Sequence, residues 1–438
     1  MRINIPTASS ITRSNQTYRG IVDEYRPDLA YYESTYRDLH SNPELSRQEK
    51  RTSSIAANHL KTIGYCVHEN IGGYGLIGVL KNGHGPTVLL RADMDALPVR
   101  ENTGLDYASK KTMTDSNGTE VPVMHACGHD VHVSCLMGAA RLLHAARSKW
   151  RGTLICLFQP AEEFVTGARA MVNDGLYSRF DIPKPDIVLG QHVFCIEKAG
   201  AVALSPGPVM AAADGLKIRV FGKGGHGSMP SLCIDPIVIA SQIVVRLQTI
   251  VSRELQPGKM GVITCGKIQA GTAVNIIPDY ADLELSIRSY DTRVQKQLLD
   301  AIERIVRAEC NASRSPQDPV IENSAHTPVT VNDVDQTESL KTSFSDFFED
   351  NASAMEPLPG SEDFSVLARA IKVPSIFWML GGCDPIKWDE AERSGKIGEI
   401  PMNHSAEFAP AIEPTLRTGV DALAVAALTF LRLIASPA

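Results

Sequence analysis

The densest group of metal-binding residue types is the run MHACGHDVH at positions 124–132. Cys127 and His129 are two residues apart, a spacing that brings side chains to one side of an extended chain but not of a helix. We therefore expect both to precede the helix predicted by the apolar stripe over residues 131–146, with Asp130 as its N-cap. A converging thiolate and imidazole suit a divalent cation such as zinc. An isolated pair would more often be a buried cysteine beside a capping turn.

Pairs of acidic residues follow two of the predicted strands. Asp93 and Asp95 end the apolar strand in the run LLRADMDALP, so both carboxylates are expected to leave the sheet on the same side. Glu162 and Glu163 come directly after another strand, in FQPAEE. Adjacent acids in extended chain point in opposite directions, so one could bind a metal while the other acts as a general base. The spacing does not decide which glutamate does which, and the aspartates alone would be solvated loop acids.

Two further histidines complete a possible ligand set. His192 follows another predicted strand, and His404 lies in the run PMNHS. Taken singly, each is more typical of a hydrogen-bonded histidine than of a ligand. The acid pairs and His192 follow successive strands of one predicted sheet. Together with Cys127 and His129 they provide enough nitrogen, oxygen and sulfur donors for two metal ions.

A literal G-x-G-x-x-G motif occurs at Gly222, Gly224 and Gly227. Its context excludes dinucleotide binding, because the next helix is predicted to begin near Asp235 and no acid lies about 20 residues further on to hold a ribose. His226 on this glycine loop could still donate a hydrogen bond to a developing oxyanion, although an exposed turn is the simpler interpretation.

The elements that position these residues follow two patterns. Up to about residue 205 helices alternate with strands, which predicts an α/β domain with a mostly parallel sheet, helices on both faces and binding residues at the strand ends. Apolar periodicity predicts helices over 32–39 and 52–63 and strands over 74–80, 87–92, 153–158 and 186–192.

Residues 208 to about 325 have the order strand, helix, strand, strand, helix, strand, which is that of a ferredoxin-like α+β unit. The α/β pattern then returns, with a strand over 374–380 and a closing helix from Glu413. We therefore predict a larger α/β domain in two parts, residues 20–207 and 326–438, with a smaller domain inserted at residues 208–325.

The composition excludes several classes of protein. The 438 residues are 43% hydrophobic and 21% charged, which is ordinary for a folded globular protein. With 43 basic and 50 acidic residues the chain has no basic field to attract nucleic acid. The apolar run over 420–434 is shorter than the ~20 residues of a bilayer span, so no membrane insertion is expected. No apolar signal segment follows the first residues, and nine scattered cysteines without CxxC spacing favour a cytoplasmic protein.

Together these motifs resemble the zinc-aminoacylase and carboxypeptidase superfamily of metallopeptidases. More narrowly, they resemble its amidohydrolase branch of hippurate, N-acyl-amino-acid and auxin-conjugate hydrolases. The resemblance runs from about residue 30 to 430 and is carried by RADMDALP, HACGHD, the early DLHSNPEL run and GSEDF at 360–364. It implies a metal-dependent hydrolase that cleaves the amide bond of an N-acyl amino acid or a related small amide conjugate.

Carried over by position, the resemblance implies two divalent cations per subunit, zinc or manganese. Glu162 becomes the general base that activates a metal-bridging water, and Asp95 matches an acid that orients a ligand or the base. Asp93 stands where most of the superfamily has a ligating histidine, so it becomes structural and the branch uses a cysteine instead. The implied ligands are Cys127, His129, Glu163, His192 and His404.

The resemblance also implies a homodimer formed through the inserted domain. The residue matching His226 reaches into the partner subunit's active site and steadies the oxyanion. Relatives often have an acid-rich continuation after His404, whereas SAEFAP follows here, so substrate contacts from that loop are expected to differ. The positions that match substrate-binding residues are Asn275, Arg288, Gly360 and Ser361.

Other functions remain open at this point. A dipeptidase, a carboxypeptidase or an N-carbamoyl hydrolase on the same scaffold would differ in substrate. A non-catalytic protein with a structural metal is a different class, although five candidate ligands and an adjacent glutamate exceed what a closed four-coordinate site uses. A zinc deaminase would need a P-C-x-x-C segment that the chain lacks.

Overall fold

Helices and strands alternate along most of the chain. The structure, a computed structural model, describes residues 18–180 and 182–434. The predicted absence of an N-terminal signal segment concerns residues 1–17, which lie outside the described residues. The strands are β1 Cys66–Ile71, β2 Gly75–Asn82, β3 Thr87–Asp93, β4 Thr112–Thr114, β5 Glu120–Pro122, β6 Trp150–Gln159, β7 Ile187–Lys198, β8 Val202–Ala203, β9 Gly207–Met210, β10 Ala212–Phe221, β11 Gly225–His226, β12 Gly261–Ala270, β13 Ile276–Ile277, β14 Tyr280–Ser289, β15 Val320–Thr327, β16 Thr330–Asn332, β17 Ala352–Ser353, β18 Ser375–Cys383 and β19 Arg432–Leu433.

A helical segment over residues 18–25 precedes the remaining helices. These are α1 Ala30–Ser41, α2 Lys50–Thr62, α3 His129–Ala145, α4 Gly167–Asn173, α5 Pro236–Thr249, α6 Thr292–Ala312, α7 Val334–Phe348, α8 Ser365–Ile371, α9 Pro385–Ser394 and α10 Ile412–Phe430.

The described residues divide into two compact units. The larger unit contains the residues up to Gly207, the segment Val331–Glu356 and the residues from Asp363 onward. The smaller unit contains Pro208–Thr330 and Pro357–Glu362. The sequence pattern placed the insertion at residues 208–325, and the roles assigned to the two domains stay predictions.

The larger unit is built on a mixed sheet of nine strands. Its order is β1-β2-β6-β3-β7-β18-β8-β17, with β19 paired to β6. The central strands β6, β3, β7 and β18 run parallel, and antiparallel pairs flank them. Every residue of β3 and of β18 is buried, as is typical of parallel strands with both faces covered. The predicted α/β fold with a mostly parallel sheet is confirmed.

Helices α3 and α10 form the centre of the core above this sheet. Helix α3 is buried on nearly all sides, so it has no polar face toward solvent, as is usual for a central helix of a large core. A Cβ at Gly138 of this helix would lie 2.6 Å from Val420 Cγ2 on α10, so the two helices approach as closely as glycine allows. This packing holds the N-terminus of α3 in place. Among residues 18–180 and 182–434, no helix combines the length and apolarity required to traverse a bilayer.

The smaller unit is a four-stranded antiparallel sheet in the order β12-β14-β10-β15. Buried residues alternate along β14, which is the pattern of a sheet with one covered face. Apolar side chains of α5 and α6 pack against that face. The chain order of these elements and the strand order are those of the predicted ferredoxin-like unit.

Candidate metal centre

Cys127 and His129 lie on either side of the residue that caps helix α3. The helix begins at His129, and its N-cap is Gly128 with a left-handed φ of 81°. A Cβ at Gly128 would lie 2.3 Å from Val193 Cγ1, so both conformation and space require glycine. The prediction that Asp130 is the N-cap is wrong, because the chain enters the helix through this glycine and Asp130 lies in the first turn.

The thiol of Cys127 faces a ligand candidate on strand β7. Its Sγ lies 3.5 Å from Nε2 of His192, and both side chains are buried. Nδ1 of His192 lies 2.9 Å from the carbonyl oxygen of Val193, which can only accept, so Nδ1 carries the proton and Nε2 has the free lone pair. Burial raises the pKa of the Cys127 thiol and lowers the pKa of His192 well below its ordinary value. A nearby cation is the usual means of ionising such a thiol.

His129 is surrounded by acidic side chains. Its Nδ1 lies 3.3 Å from Asp95 Oδ1, and its Nε2 lies 3.9 Å from Glu162 Oε2 and 3.9 Å from Glu163 Oε1. Burial opposes protonation of His129, but the charge of Asp93 and the hydrogen bond with Asp95 raise its pKa well above the ordinary value. The arrangement therefore favours a positive charge at this point.

Glu162 and Glu163 lie in a turn after β6, not in extended chain. Their predicted opposite orientation is wrong, since both carboxylates approach the same nitrogen of His129. The physical reason is Asp95, whose two oxygens accept the backbone N–H groups of Glu162 at 3.1 Å and Glu163 at 3.0 Å. Ser46 donates to the same carboxylate at 2.6 Å. Burial, opposed by the charge of His129, raises the pKa of Glu163 to about 7.

His404 lies at the opposite side of Glu163. Its Nε2 is 3.5 Å from Glu163 Oε2, and its side chain is 58% exposed. The residue has a φ of 72°, which is uncommon for a side chain larger than glycine and is often found at functional sites. Its backbone N–H donates to the carbonyl of Ala126 at 2.7 Å, so this loop is tied to the segment that carries Cys127.

The residues present fit a divalent cation. Within the described part of the chain, Nε2 of His129 and Oε1 of Glu163 are buried without a hydrogen-bond partner, although buried polar atoms are normally paired. One donor atom each of Cys127, His129 and Glu163 lie within 4.8 Å of one another. A thiolate, an imidazole and a carboxylate are ligands that zinc accepts, and the nitrogen and oxygen donors also suit manganese.

A second group of possible donors includes a residue that sequence reasoning missed. Asp93, His129, His132 and His192 also have donor atoms within 4.8 Å of one another. His132, however, already uses both ring nitrogens, one near Asp93 Oδ1 at 2.5 Å and one that accepts the N–H of Val193 at 2.8 Å. Its position three residues after His129 places both on one face of α3, which is the sequence signal that could have identified it.

The predicted substrate-binding residues belong to the smaller unit. His226 and Asn275 are neighbours there, since β11 pairs with β13 and the N–H of Gly227 donates to Asn275 O at 2.8 Å. Both side chains are exposed. Arg288 on β14 is half-buried, and burial lowers the pKa of its guanidinium. The remaining two are Gly360 and Ser361. The backbone N–H of Ala211 donates to the carbonyl of Gly360 at 2.8 Å, which ties this segment to the start of β10.

The fold and the donor set together define an α/β protein with a mostly parallel sheet and a buried, metal-capable site. Residues 89–394 match the family described as Peptidase family M20/M25/M40. The chain belongs to this family.

Two relatives of the chain are named as hydrolases. The chain is 38% identical over 349 residues to the hippurate hydrolase of Campylobacter jejuni, a match that covers 79% of this chain and 87% of that protein. It is 36% identical over 349 residues to IAA-amino acid hydrolase ILR1-like 4 of Arabidopsis thaliana, covering 79% of this chain and 76% of that protein. The predicted family resemblance and the predicted metal-dependent amidohydrolase activity are confirmed.

A solved structure supports the same fold. The YxeP protein of Bacillus subtilis, described as a dinuclear metal-binding peptidase from the M20 family, superposes with a TM-score of 0.73 at 26% identity. The match covers 92% of this chain and 99% of that chain. The present chain thus has a buried, metal-capable cluster and a dinuclear relative, while the identity and number of its own metals stay predictions.

Proposed function

We propose that this chain hydrolyses the amide bond of N-acyl amino acids or related small amide conjugates with two divalent cations, zinc or manganese. Hippurate is an N-acyl amino acid, and an IAA-amino acid is an amide conjugate of the same form, so the names of two relatives support this substrate class. The single observation that carries the proposal is the buried convergence of Cys127, His129 and Glu163.

The protein's side chains divide into holders of the cations and residues that act on protons. Bound divalent cations supply Lewis acidity, which lowers the pKa of water and polarises the substrate carbonyl. Cys127 and His192 would hold one side of the centre, and His404 with Glu163 the other, because each pair is already in contact. The residues proposed as ligands are Cys127, His129, Glu163, His192 and His404.

Glu162 is the proposed general base. Its backbone is held by Asp95, and its carboxylate lies 3.9 Å from His129, at the edge of the donor set. In this position it would take a proton from the attacking water as the carbon–oxygen bond forms. The same carboxyl group would return that proton to the amide nitrogen as the carbon–nitrogen bond breaks, releasing a carboxylic acid and a free amine. Asp95 would orient both His129 and the base.

His226 is the proposed donor to the oxyanion. Its Nδ1 accepts the backbone N–H of Ser228 at 3.1 Å, so the proton resides on Nε2 of an exposed ring. Such a donor can hydrogen-bond an oxygen that gains negative charge in the transition state. Asn275, Arg288 and the 360–361 segment offer the amide, cationic and backbone groups that would bind a substrate carboxylate or carbonyl.

We further propose that His226 serves a second copy of the chain, in a homodimer formed through the smaller unit. Apolar side chains near it are more than half exposed, which is unusual for an isolated surface and typical of one that is covered by a partner. These side chains are Met229, Leu232, Val274 and Ile276. The cytoplasmic location stays a prediction from the cysteine content.

A substrate panel tests the proposed function. The purified chain is stripped with a chelator, reloaded with zinc or manganese, and assayed with aromatic, aliphatic and indole acyl amino acids. An N-carbamoyl amino acid and a dipeptide are included, so that preference for either would identify the alternative activities. We expect metal-dependent release of the free amino acid from acyl conjugates. Absence of hydrolysis across the panel by metal-loaded protein would contradict the proposal.

A further inference from the structure

The backbone of Val193, the residue after the proposed ligand His192, forms three hydrogen bonds with side chains. Its N–H donates to Nε2 of His132 at 2.8 Å. Its carbonyl accepts from Nδ1 of His192 at 2.9 Å and from Nδ2 of Asn403 at 3.0 Å. Val193 is fully buried, so these bonds are shielded from water. The backbone next to the ligand is thus held by side chains from three parts of the chain.

The hydrogen bond that Val193 donates to His132 replaces one that a neighbouring strand would normally accept. The pairing of β7 with β3 ends at Gly190, whereas its pairing with β18 continues past Val193 to Lys198. Val193 therefore lies beyond the ladder with β3. A buried N–H without an acceptor is destabilising, and the imidazole of His132 provides that acceptor.

The same bond decides what His132 can do. A backbone N–H only donates, so Nε2 of His132 accepts and the ring proton is on Nδ1. That proton is donated to Asp93 Oδ1 at 2.5 Å, and Asp93 Oδ2 accepts from Arg91 at 2.6 Å. Both ring nitrogens are therefore used. His132 lies among possible metal donors, but its hydrogen bonds leave no lone pair for a cation.

The carbonyl of Val193 sets the orientation of the neighbouring ligand. Because it accepts the Nδ1 proton of His192, the lone pair of Nε2 points to the Sγ of Cys127, 3.5 Å away. Asn403 reaches the same carbonyl and also lies 3.3 Å from the carbonyl of Cys127. Asn403 directly precedes His404, so it connects three of the segments that carry proposed ligands.

We propose that His132 and Asn403 are positioning residues that act through Val193 and set the affinity of the metal centre. His132 anchors the N–H of Val193 and Asn403 its carbonyl, so together they maintain the tautomer and direction of His192 relative to Cys127. Partners that orient a metal-binding histidine generally change metal affinity or activity about 10- to 100-fold when they are removed. This inference rests on the proposed function, since it assumes a cation at these donors.

Cobalt binding tests the role of His132. The metal-stripped full-length chain is titrated with Co²⁺, whose visible absorption reports thiolate coordination, and affinity is measured by competition with a chelator. For His132→Ala we expect about 10- to 100-fold weaker binding and an altered spectrum, with the same number of ions at saturation. Turnover should fall mainly in kcat. His132→Gln should restore part of the affinity, because an amide can both accept from Val193 and donate to Asp93.

The matched control is His59→Ala. His59 is also buried, and its Nε2 bonds the carbonyl of Met137 on the same helix α3 at 3.0 Å, without contact to Val193. This variant should lose stability but keep the cobalt spectrum and affinity. Asn403→Ala should shift the cobalt affinity in the same direction as His132→Ala. It decides the question if circular dichroism shows that His132→Ala does not fold.

Three outcomes would overturn the inference. Unchanged cobalt affinity and spectrum in the folded His132 variants, or in Asn403→Ala where those do not fold, would remove the positioning role. Loss of one bound ion at saturation in His132→Ala would make His132 a ligand. Failure of the unsubstituted chain to bind cobalt would overturn the proposed function and this inference with it. If the variants alter cobalt binding but the unsubstituted chain hydrolyses no amide, only the proposed function is contradicted.

Discussion

The two units differ in how their proposed functional residues are held. In the larger unit Cys127, His129 and Asp95 are buried. Nδ1 of His129 lies 3.3 Å from Asp95 Oδ1, and the donor atoms of Cys127 and His129 lie within 4.8 Å of each other. In the smaller unit His226 and Asn275 are exposed on short strand ends. A buried, prearranged donor set is what metal chemistry requires, because its electrostatics need no reorganisation during the reaction. An exposed donor is what a substrate or a second subunit can reach. We therefore expect the metal ligands and the general base in the buried region, and the oxyanion donor and the substrate-binding groups in the exposed one.

The largest expected effect is on the buried side. Glu162→Gln should lower kcat by about 10²- to 10⁴-fold, the usual contribution of a general base, while metal content stays intact. Steady-state kinetics and metal analysis of the same preparation measure both. Glu163→Gln is the paired variant and should lose metal. If Glu162→Gln loses metal instead, the roles of the two glutamates are exchanged.

The next largest effect is expected from removal of the metal, which should destabilise the larger unit more than the smaller one. Because a cation that binds only the folded state stabilises it, a 1,000-fold excess of free metal over Kd contributes about 4.1 kcal/mol. Chelation should therefore lower the melting temperature by calorimetry, and hydrogen exchange should increase around β7 and the N-terminus of α3. An equal loss of protection from exchange in β12 and β14 would contradict the idea that the metal stabilises the larger unit alone.

Substitution of exposed His226 should lower the rate of hydrolysis without altering metal binding. His226→Ala should lower kcat by about 10²- to 10³-fold, as for other oxyanion donors, with cobalt affinity and spectrum as in the unsubstituted chain. Mixing this variant with Glu162→Gln subunits tests the partner role. Mixed dimers contain one site with both Glu162 and a His226 from the other subunit, so partial activity should return. No recovery from subunits that demonstrably exchange would limit His226 to its own chain.

The smallest expected effect concerns a buried network that does not involve proposed ligands. Burial disfavours the charged form of His40, but Asp130 at 2.7 Å and Glu101 at 3.1 Å raise its pKa to about 9. A folded-state pKa above the unfolded value of about 6.5 gives stability that is present below pH 6.5 and lost as pH rises to about 9. The loss should be on the order of 1–3 kcal/mol.

Urea unfolding at a series of pH values between 6.5 and 9 measures this loss. His40→Gln should flatten the slope in that window, in metal-free and metal-loaded protein alike. A slope that disappears only after metal removal would show that the network depends on the metal centre.

Local patterns in the sequence predicted much of the fold and of the donor set. The mostly apolar run of β3 and the alternation along β14 required only burial on two faces or on one. What failed depended on residues far apart in the chain. Asp130 is not the N-cap because the chain enters the helix through Gly128, where Val193 leaves no space for a side chain. The glutamate pair is turned inward because Asp95 accepts both amides. Local spacing carries no information about such contacts.

The sequence analysis missed His132 and Asn403 for the same reason, because their contacts are to residues far away in the chain. His132 carried a detectable signal, its spacing from His129, but its partner Val193 lies on another strand. Asn403 had no signal of its own apart from being next to His404. Their contribution is made through backbone atoms, and backbone atoms do not vary with residue type, so no motif marks them.

The single carboxylate beneath the glutamate turn has a consequence for engineering. Since Asp95 anchors the amides of both Glu162 and Glu163, the positions of the proposed base and of a proposed ligand are linked, and neither can be relocated by itself. Directed evolution toward new substrates should therefore accumulate changes among the exposed groups around His226 and leave the acidic turn untouched.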